Sequence, residues 1–393
     1  MIETLTFVLL VLAFAMAIPT LFLAIQISAA RLPARLSASI SSSPCPKIAV
    51  VMPARNEESI ISRTVASVMN QLPPDGRLLV VADNCTDTTA EIALHAGAEV
   101  TVRQDIKRIG KGYALDHGVR LLAPDPPKVV IFVDSDCEVA DGALEILARR
   151  CVSTGHPVQA RYSMLTQPSA GPGDKISQLA WTIKTLVRPS GSAHLGWPCQ
   201  LMGSGMALPF EIIAQIDLAT GHLAEDQKLG AELALLGKAP LFCPVAQVSS
   251  QLPPGESGQR QQHTRWEHGH LMIIGEFFFP LMRRAISKPS AQLLAFTLDL
   301  CIPPLSLLAL SFVLLEAIVL SWFIMTGSAS PLVVASIVLT CFAGSISSAW
   351  LRFGRDLISP RELLAAPAYC LLKIPSFIRF YVNRQVDWVR TER

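Results

Sequence analysis

From Thr4 to Ala30 the chain carries no charged residue, and the core of this run, Leu5 to Ile27, is 23 residues long. A helix of roughly 20 apolar residues crosses the hydrocarbon of a bilayer. A secretory leader would start with a basic segment and hold a shorter apolar stretch. Only Glu3 precedes this run, and Arg31 and Arg35 follow it. The run therefore reads as a membrane helix over residues 1–30. The excess of basic residues after it predicts an external N-terminus and a cytosolic chain beyond Arg31.

A second apolar region lies near the other end. From Pro289 to Leu351 there is no Lys, Arg or His, and the only charges are Asp299 and Glu316. Two spans fit over 304–351, Leu305 to Met325 and Leu332 to Trp350, and they return Arg352 and Arg355 to the cytosolic side. Glu316 near mid-span is costly unless paired, so a helix–helix contact or a cavity is expected for it. Residues 269–303 and 352–393 read as interfacial. In the first, Phe277-Phe278-Phe279 is followed by Arg283-Arg284, and Pro303-Pro304 closes the stretch that carries Asp299. In the second, Leu363 to Val382 is interrupted by Lys373, Pro375 and Arg379. A further span there would put the basic tail Arg384–Arg393 outside.

Charged residues are 16% of the chain, against about 25% in ordinary soluble proteins. Those present concentrate between Arg31 and Lys288, so a water-soluble domain sits between membrane pieces, after a Ser-rich linker at 31–46. The 51% hydrophobic content excludes disorder, and a net charge of +2 argues against a nucleic-acid partner. Nine cysteines are scattered singly, with no C-x-x-C pair, and read as reduced thiols. His263, His268 and His270 have no cysteine near them, and positions i and i+2 diverge on a helix, so a zinc site is not expected.

Within residues 47–268 three apolar, β-branched runs have the pattern of buried parallel strands: Ile48–Met52, Leu78–Val81 and Val129–Val133. Helical stretches, Glu58–Gln71 and Thr88–Ala96, alternate with them, which predicts an α/β, Rossmann-like, mostly parallel sheet. Each strand ends in polar or acidic residues: Pro53-Ala54-Arg55-Asn56-Glu57-Glu58, then Asp83-Asn84-Cys85-Thr86-Asp87, then Asp134-Ser135-Asp136. Ligands of open α/β sheets sit at that carboxyl edge. Asp83 and Asp87 also have the position of helix caps. The carboxylates of Asp134 and Asp136 suit a hard divalent cation, Mg²⁺ or Mn²⁺, and the phosphates it chelates. Lys111, between two glycines, suits either a diphosphate-neutralising loop or a solvated surface. No P-loop or G-x-G-x-x-G fingerprint is present. Downstream, Glu225-Asp226 opens a helix-like segment, and Gln262-His263-Thr264-Arg265-Trp266 precedes the first interfacial stretch.

In this order the motifs resemble those of membrane-bound family-2 glycosyltransferases of the GT-A fold, the group of cellulose, chitin and hyaluronan synthases and ceramide glucosyltransferases. The resemblance runs from about Lys47 to Gly269 and is most specific in Q-x-x-R-W following E-D. It implies a nucleotide-sugar donor, with Asp83 on the base, uracil of a UDP-sugar, and Pro53 and Glu57 lining the same pocket. It implies Asp134 on the nucleotide, Asp136 as the metal ligand and Lys111 near the phosphates. Gln262, Arg265 and Trp266 would bind the diphosphate and shape the acceptor end. Asp226 would be the general base, with Glu225 beside it disfavouring its ionisation. Gly203, Ser204 and Gly205 would form the loop beside the acceptor.

The resemblance further implies single displacement with inversion. Interfacial segments directly after Trp266 lead to an expected acceptor within the bilayer: a lipid, a lipid-linked glycan or a growing polysaccharide. Three spans favour one sugar per acceptor over a processive synthase. The setting expected is a bacterial inner membrane, with the catalytic domain cytosolic. A nucleotidyltransferase would need neither Gln262–Trp266 nor a base at Asp226, and a non-catalytic scaffold would have no use for the full set of acidic residues.

Overall fold

The strands of the soluble domain include central ones buried on both faces and an edge strand, Glu99–Arg103, whose residues are exposed or half-buried. In the computed structural model, which describes residues 2–32, 44–166, 170–252 and 256–382, they are β1 (Ile48–Ala54), β2 (Arg77–Asp83), β3 (Glu99–Arg103), β4 (Val129–Phe132), β5 (Cys137–Val139), β6 (Val158–Leu165), β7 (Met206–Pro209) and β8 (Leu241–Gln251). The linker at 33–43, part of the loop after Gln251 and the tail from 383 lie outside the described residues. The strands form one sheet in the order β3-β2-β1-β4-β7-β6-β8-β5.

The half β3-β2-β1-β4 is parallel, as the three apolar runs predict. In the other half β7 runs antiparallel to both β4 and β6, β8 parallel to β6, and β5 antiparallel to β8. The sheet is therefore mixed, with four of its seven neighbouring strand pairs parallel. Ile48, Val50 and Met52 pack on one face against Ile61 and Val65 of the helix Ile61–Met69 and against Leu144 and Leu147. Ala49 and Val51 pack on the other against Leu115, Val119 and Leu122 of the helix Lys111–Leu122. Consecutive residues of one strand thus serve opposite cores, the period-2 geometry of an extended chain buried on both sides. In register, Ala54 of β1 lies beside Ala82 of β2, and Val51 beside Phe132 of β4, so the three strands deliver their loops to one edge.

Among the described residues four helices are long and apolar enough to cross a membrane: Ile2–Ala30, Leu305–Thr326, Ser330–Gly354 and Pro360–Val382. The first three correspond to the expected spans. The fourth is broken into Pro360–Leu363, Ala366–Leu372 and Ile374–Val382, and it pairs with the soluble domain. Glu362 meets Lys175 at 2.6 Å, Lys373 meets Glu267 at 3.0 Å, and the Ser376 carbonyl lies 2.9 Å from His268 Nε2. Glu316 accepts a hydrogen bond from Ser336 Oγ at 3.2 Å, which makes it a contact between two membrane helices. Arg31, at the end of the first helix, donates to Ser348 Oγ, so the C-terminal ends of helices Ile2–Ala30 and Ser330–Ala349 lie side by side. A 32-residue helix, Glu256–Ser287, runs through position 268/269 and carries both Q-x-x-R-W and the Phe277–Phe279 cluster.

Candidate functional site

The loops at the strand edge are stitched to one another before any ligand is considered. Asn56 and Asn84 follow β1 and β2 with positive φ, 55° and 53°, a region Asn enters more readily than most residues. The Asn56 side chain accepts from the Thr86 amide at 2.7 Å and donates to Thr86 Oγ1 at 3.0 Å. Asp87 is a cap: its carboxylate accepts from the Thr89 amide and hydroxyl. Asp83 is not. It is buried, paired with Arg103 at 2.6 Å, and lines a cleft.

That cleft, about 200 Å³, is lined by Pro53, Glu57, Asp83, Lys111, Asp134, Asp136, Gly203, Glu225, Asp226, Gln262, Arg265 and Trp266. The elements that carry them are separated by most of the domain's sequence, and the sheet edge brings them together. Ser204 and Gly205 lie behind it. Ser204 Oγ accepts from the Asp134 amide at 3.1 Å, and Gly205 joins β4 to β6 by giving its N–H to Phe132 and accepting from Ala160. These two support the site without lining it.

Lys111 is the first residue of its helix and not part of a flexible loop. Its ammonium lies 2.5 Å from Asp134, 3.4 Å from Glu225 and 2.7 Å from the Gly203 carbonyl, to which it donates. Gly203 holds φ +89°, and a Cβ there would sit 3.6 Å from Asp226 Oδ2, 3.7 Å from Lys111 Nζ and 3.8 Å from Asp134 Oδ2. The base candidate, the cation and the first Asp of D-x-D therefore converge on one small space that a bare glycine leaves open.

Burial raises the carboxyls of Glu225 and Asp226 above their ordinary range, against the downward pull of Lys111. Asp134 is pushed up to about 6 by burial, opposed by Lys111 and reinforced by Asp136. Burial also holds the Arg265 guanidinium below its usual value, while the surrounding carboxylates favour its charge. Gln262 is buried, and its Oε1 has no hydrogen-bond partner among the described residues. Trp266 packs against Trp181 with ring centroids 4.7 Å apart and the planes tilted by 31°.

Among the described residues, the cluster with metal-ligating atoms in reach of one another is Asp134, Asp136 and Cys137. Burial pushes the Cys137 thiol well up, and the donors of this cluster that suit a hard cation are the two carboxylates. His263, His268 and His270 have separate partners: Ser177, the Ser376 carbonyl, and Gln227 with the Ile302 carbonyl.

Sequence reading missed Arg103, Tyr162, Trp181 and Lys184. Trp181 and Lys184 lie on one helical rod, Pro172–His194, that passes through a π-helical turn at Ile183–Val187, a distortion frequent at functional sites. A lone lysine in the apolar stretch Ile183-Lys184-Thr185-Leu186-Val187 was the available signal.

Over residues 46–269 the chain matches the family described as "Glycosyltransferase like family 2", more than half its length, and it belongs to that family. Among curated proteins it is 27% identical over 274 residues to the probable glycosyltransferase YdaM of Bacillus subtilis, covering 61% of this chain and 60% of that one. It is 29% identical over 210 residues to glucosyl-3-phosphoglycerate synthase of Mycobacterium tuberculosis, covering 48% of this chain and 59% of the relative. The chain thus spans about three fifths of the length of these relatives. Among solved structures, the mannosyltransferase PcManGT from Pyrobaculum calidifontis, in complex with GDP-Man and Mn²⁺, superposes with a TM-score of 0.56 at 16% identity, covering 96% of this chain and 100% of that one. That similarity shows the fold, a GT-A-like mixed α/β domain.

Proposed function

We propose that the protein transfers a sugar, with inversion, from a UDP-sugar to a hydroxyl of a membrane lipid or lipid-linked acceptor. The observation that carries the reading is the convergence of Asp226, Lys111 and Asp134 on the space at Gly203. A donor diphosphate held on the Asp134 side puts its anomeric carbon within reach of an acceptor hydroxyl held on the Asp226 side. The hydroxyl oxygen forms the new bond to that carbon from the face opposite the diphosphate. The old carbon–oxygen bond breaks, its electron pair leaves with UDP, and the hydroxyl proton passes to Asp226. A positioned base of this kind is worth about 10²–10⁴-fold. Asp83 takes the base, with Arg103 holding its carboxylate in place. Lys111 and Arg265 meet the negative charge that grows on the diphosphate.

The two oxygen donors Asp134 and Asp136 fit Mg²⁺ or Mn²⁺ and not a soft metal. Such an ion supplies charge neutralisation at the leaving diphosphate. We read the soluble domain as cytosolic and the chain as integral to a bacterial inner membrane, because Arg31, Arg352 and Arg355 share one side. The ion pairs of Glu362 and Lys373 with the soluble domain support a 360–382 segment that lies on the membrane rather than crossing it.

The test is nucleotide release by the purified chain in lipid nanodiscs with Mn²⁺, across UDP-sugars and GDP-mannose. Release of UDP with one sugar, inverted product and loss in Asp226→Asn are expected. Pyrophosphate release, or retained configuration, would refute the reading.

A further inference from the structure

A second cavity, about 630 Å³, adjoins the reaction cleft. Its walls are apolar side chains of Leu305–Thr326, Ser330–Ala349 and Ala366–Leu372, such as Leu310, Phe342 and Ile346, so it opens among the membrane helices. Trp181, Lys184 and Trp266 line both cavities and form the wall between them. Other cations on the apolar cavity are already neutralised: Arg188 by Asp299 at 2.8 Å, Lys373 by Glu267 at 3.0 Å. Among the described residues Lys184 has no carboxylate within ion-pair distance, and its ammonium lies 5.9 Å from the centre of the Trp181 ring. Burial pulls it down to about 8 although Asp226 favours its charge, the behaviour of a cation short of an anion.

An apolar chamber in the hydrocarbon, a lone cation at its mouth and a carboxylate base just beyond describe a ligand in three parts. We propose that the acceptor is a hydroxyl-bearing phospholipid: its chain fills the cavity, its phosphate rests on Lys184, and a hydroxyl of the same head group reaches Asp226. The lipid phosphate is a spectator, and the bonds made and broken are those of the transfer described above. This inference rests on the transferase reading and deepens it. A neutral lipid would leave the half-buried Lys184 without a counter-charge, whereas a phosphate supplies a charge-assisted hydrogen bond.

The experiment uses the full chain in phosphatidylcholine nanodiscs with a radiolabelled UDP-sugar. Two probes share the same acyl chains and a free hydroxyl: dioleoylphosphatidylglycerol, which has the phosphate, and dioleoylglycerol, which lacks it. The expected kcat/KM is at least about tenfold higher for the phosphatidylglycerol. Lys184→Met collapses that ratio to within about twofold, chiefly through KM, and Lys184→Arg restores most of it. Ala343→Trp, which fills the cavity, raises KM for both lipids. Equal use of both probes by the unaltered protein, or an equal loss on both in Lys184→Met, overturns the proposal. If neither lipid is glycosylated while UDP is still released to water, the proposal fails and the transferase reading stands. If no nucleotide is released or bound at all, both fall.

Discussion

Arg188 donates to Asp299 twice from one nitrogen, to the carboxylate at 2.8 Å and to the backbone carbonyl at 2.7 Å, and both side chains are buried. The same carboxylate accepts from Gln26 at 2.7 Å and from Gln200 at 2.8 Å. Gln26 belongs to the first membrane helix and Gln200 to the reaction domain. Asp299 sits on the helix Ala291–Leu300, so one carboxylate ties three parts of the chain together. Gly191 makes the approach possible, since a Cβ there would lie 1.9 Å from the Gln26 carbonyl oxygen.

Truncating Asp299 strands a buried guanidinium and two amide donors at once. Asp299→Ala is expected to lose about 3–5 kcal/mol of unfolding free energy in detergent, the usual cost of breaking a buried pair. Asp299→Asn, which keeps an acceptor, loses less, and Arg188→Met with Asp299→Leu recovers part of the loss. Burial alone would raise the Asp299 carboxyl, but Arg188 and the hydrogen bonds from Gln26 and Gln200 outweigh it and hold it below the ordinary range. Its contribution is therefore present above the unfolded value of about 3.9 and is lost as pH falls through the lower folded value. Denaturant melts at pH 7 and pH 3 check both statements.

Lys111 is the cation set among Asp134, Glu225 and Asp226, with Gly203 accepting its remaining hydrogen bond. Lys111→Met leaves the carboxylates to repel one another and removes a partner for the diphosphate. Transfer is expected to fall about 10²-fold or more, with a rise in donor KM, while the fold survives. Steady-state kinetics with circular dichroism on the same sample decide it, and an unchanged donor KM would separate Lys111 from the phosphates.

Much of this site was legible because its residues lie where chain pattern and chemistry coincide. A run of apolar β-branched residues followed by Asp134-Ser135-Asp136 announces both the strand and its ligand edge. Lys111 was less clear, since two flanking glycines read equally as a loop, and only tertiary packing shows that a helix begins there. The strands β5 to β8 escaped for separate reasons: β5 and β7 are only three and four residues long, Pro244 interrupts β8, and Gln159 and Arg161 interrupt β6, where Gln159 is spent inside the sheet on Ser204 and Met202. Lys184 stands out as a lone lysine in an apolar stretch, but its role emerges only with the apolar cavity and with the absence, among the described residues, of a carboxylate within ion-pair distance.

Metal affinity should depend on pH within the working range. Asp134 reaches about 6 through burial, opposed by Lys111 and reinforced by Asp136. A raised carboxyl is protonated as pH falls through that value, and a protonated carboxyl is a poor ligand. Mn²⁺ binding to the nucleotide-free protein is therefore expected to be full at pH 7.5 and to weaken toward tenfold per pH unit below about 6. Asp134→Asn should flatten this dependence. Calorimetry with Mn²⁺ alone, at pH 5, 6 and 7.5, is the check.

Asp226 and Glu225 are neighbours in sequence but differ in engagement. Glu225 is drawn to Lys111 at 3.4 Å, whereas Asp226 makes no ion pair among the described residues and directs Oδ2 toward the space at Gly203. The free carboxylate oxygen is the better proton acceptor, so Asp226→Asn is expected to lower kcat by about 10²–10⁴-fold with donor KM little changed. Glu225→Gln should cost about tenfold and act on KM as well. Burial raises the Asp226 carboxyl, against the pull of Lys111 and Lys184, and only the ionised form can take the proton. The rate therefore climbs with pH along an acid limb set above the ordinary carboxylate range, and that limb disappears in Asp226→Asn. A limb that survives there and vanishes in Glu225→Gln would assign the base to Glu225 instead.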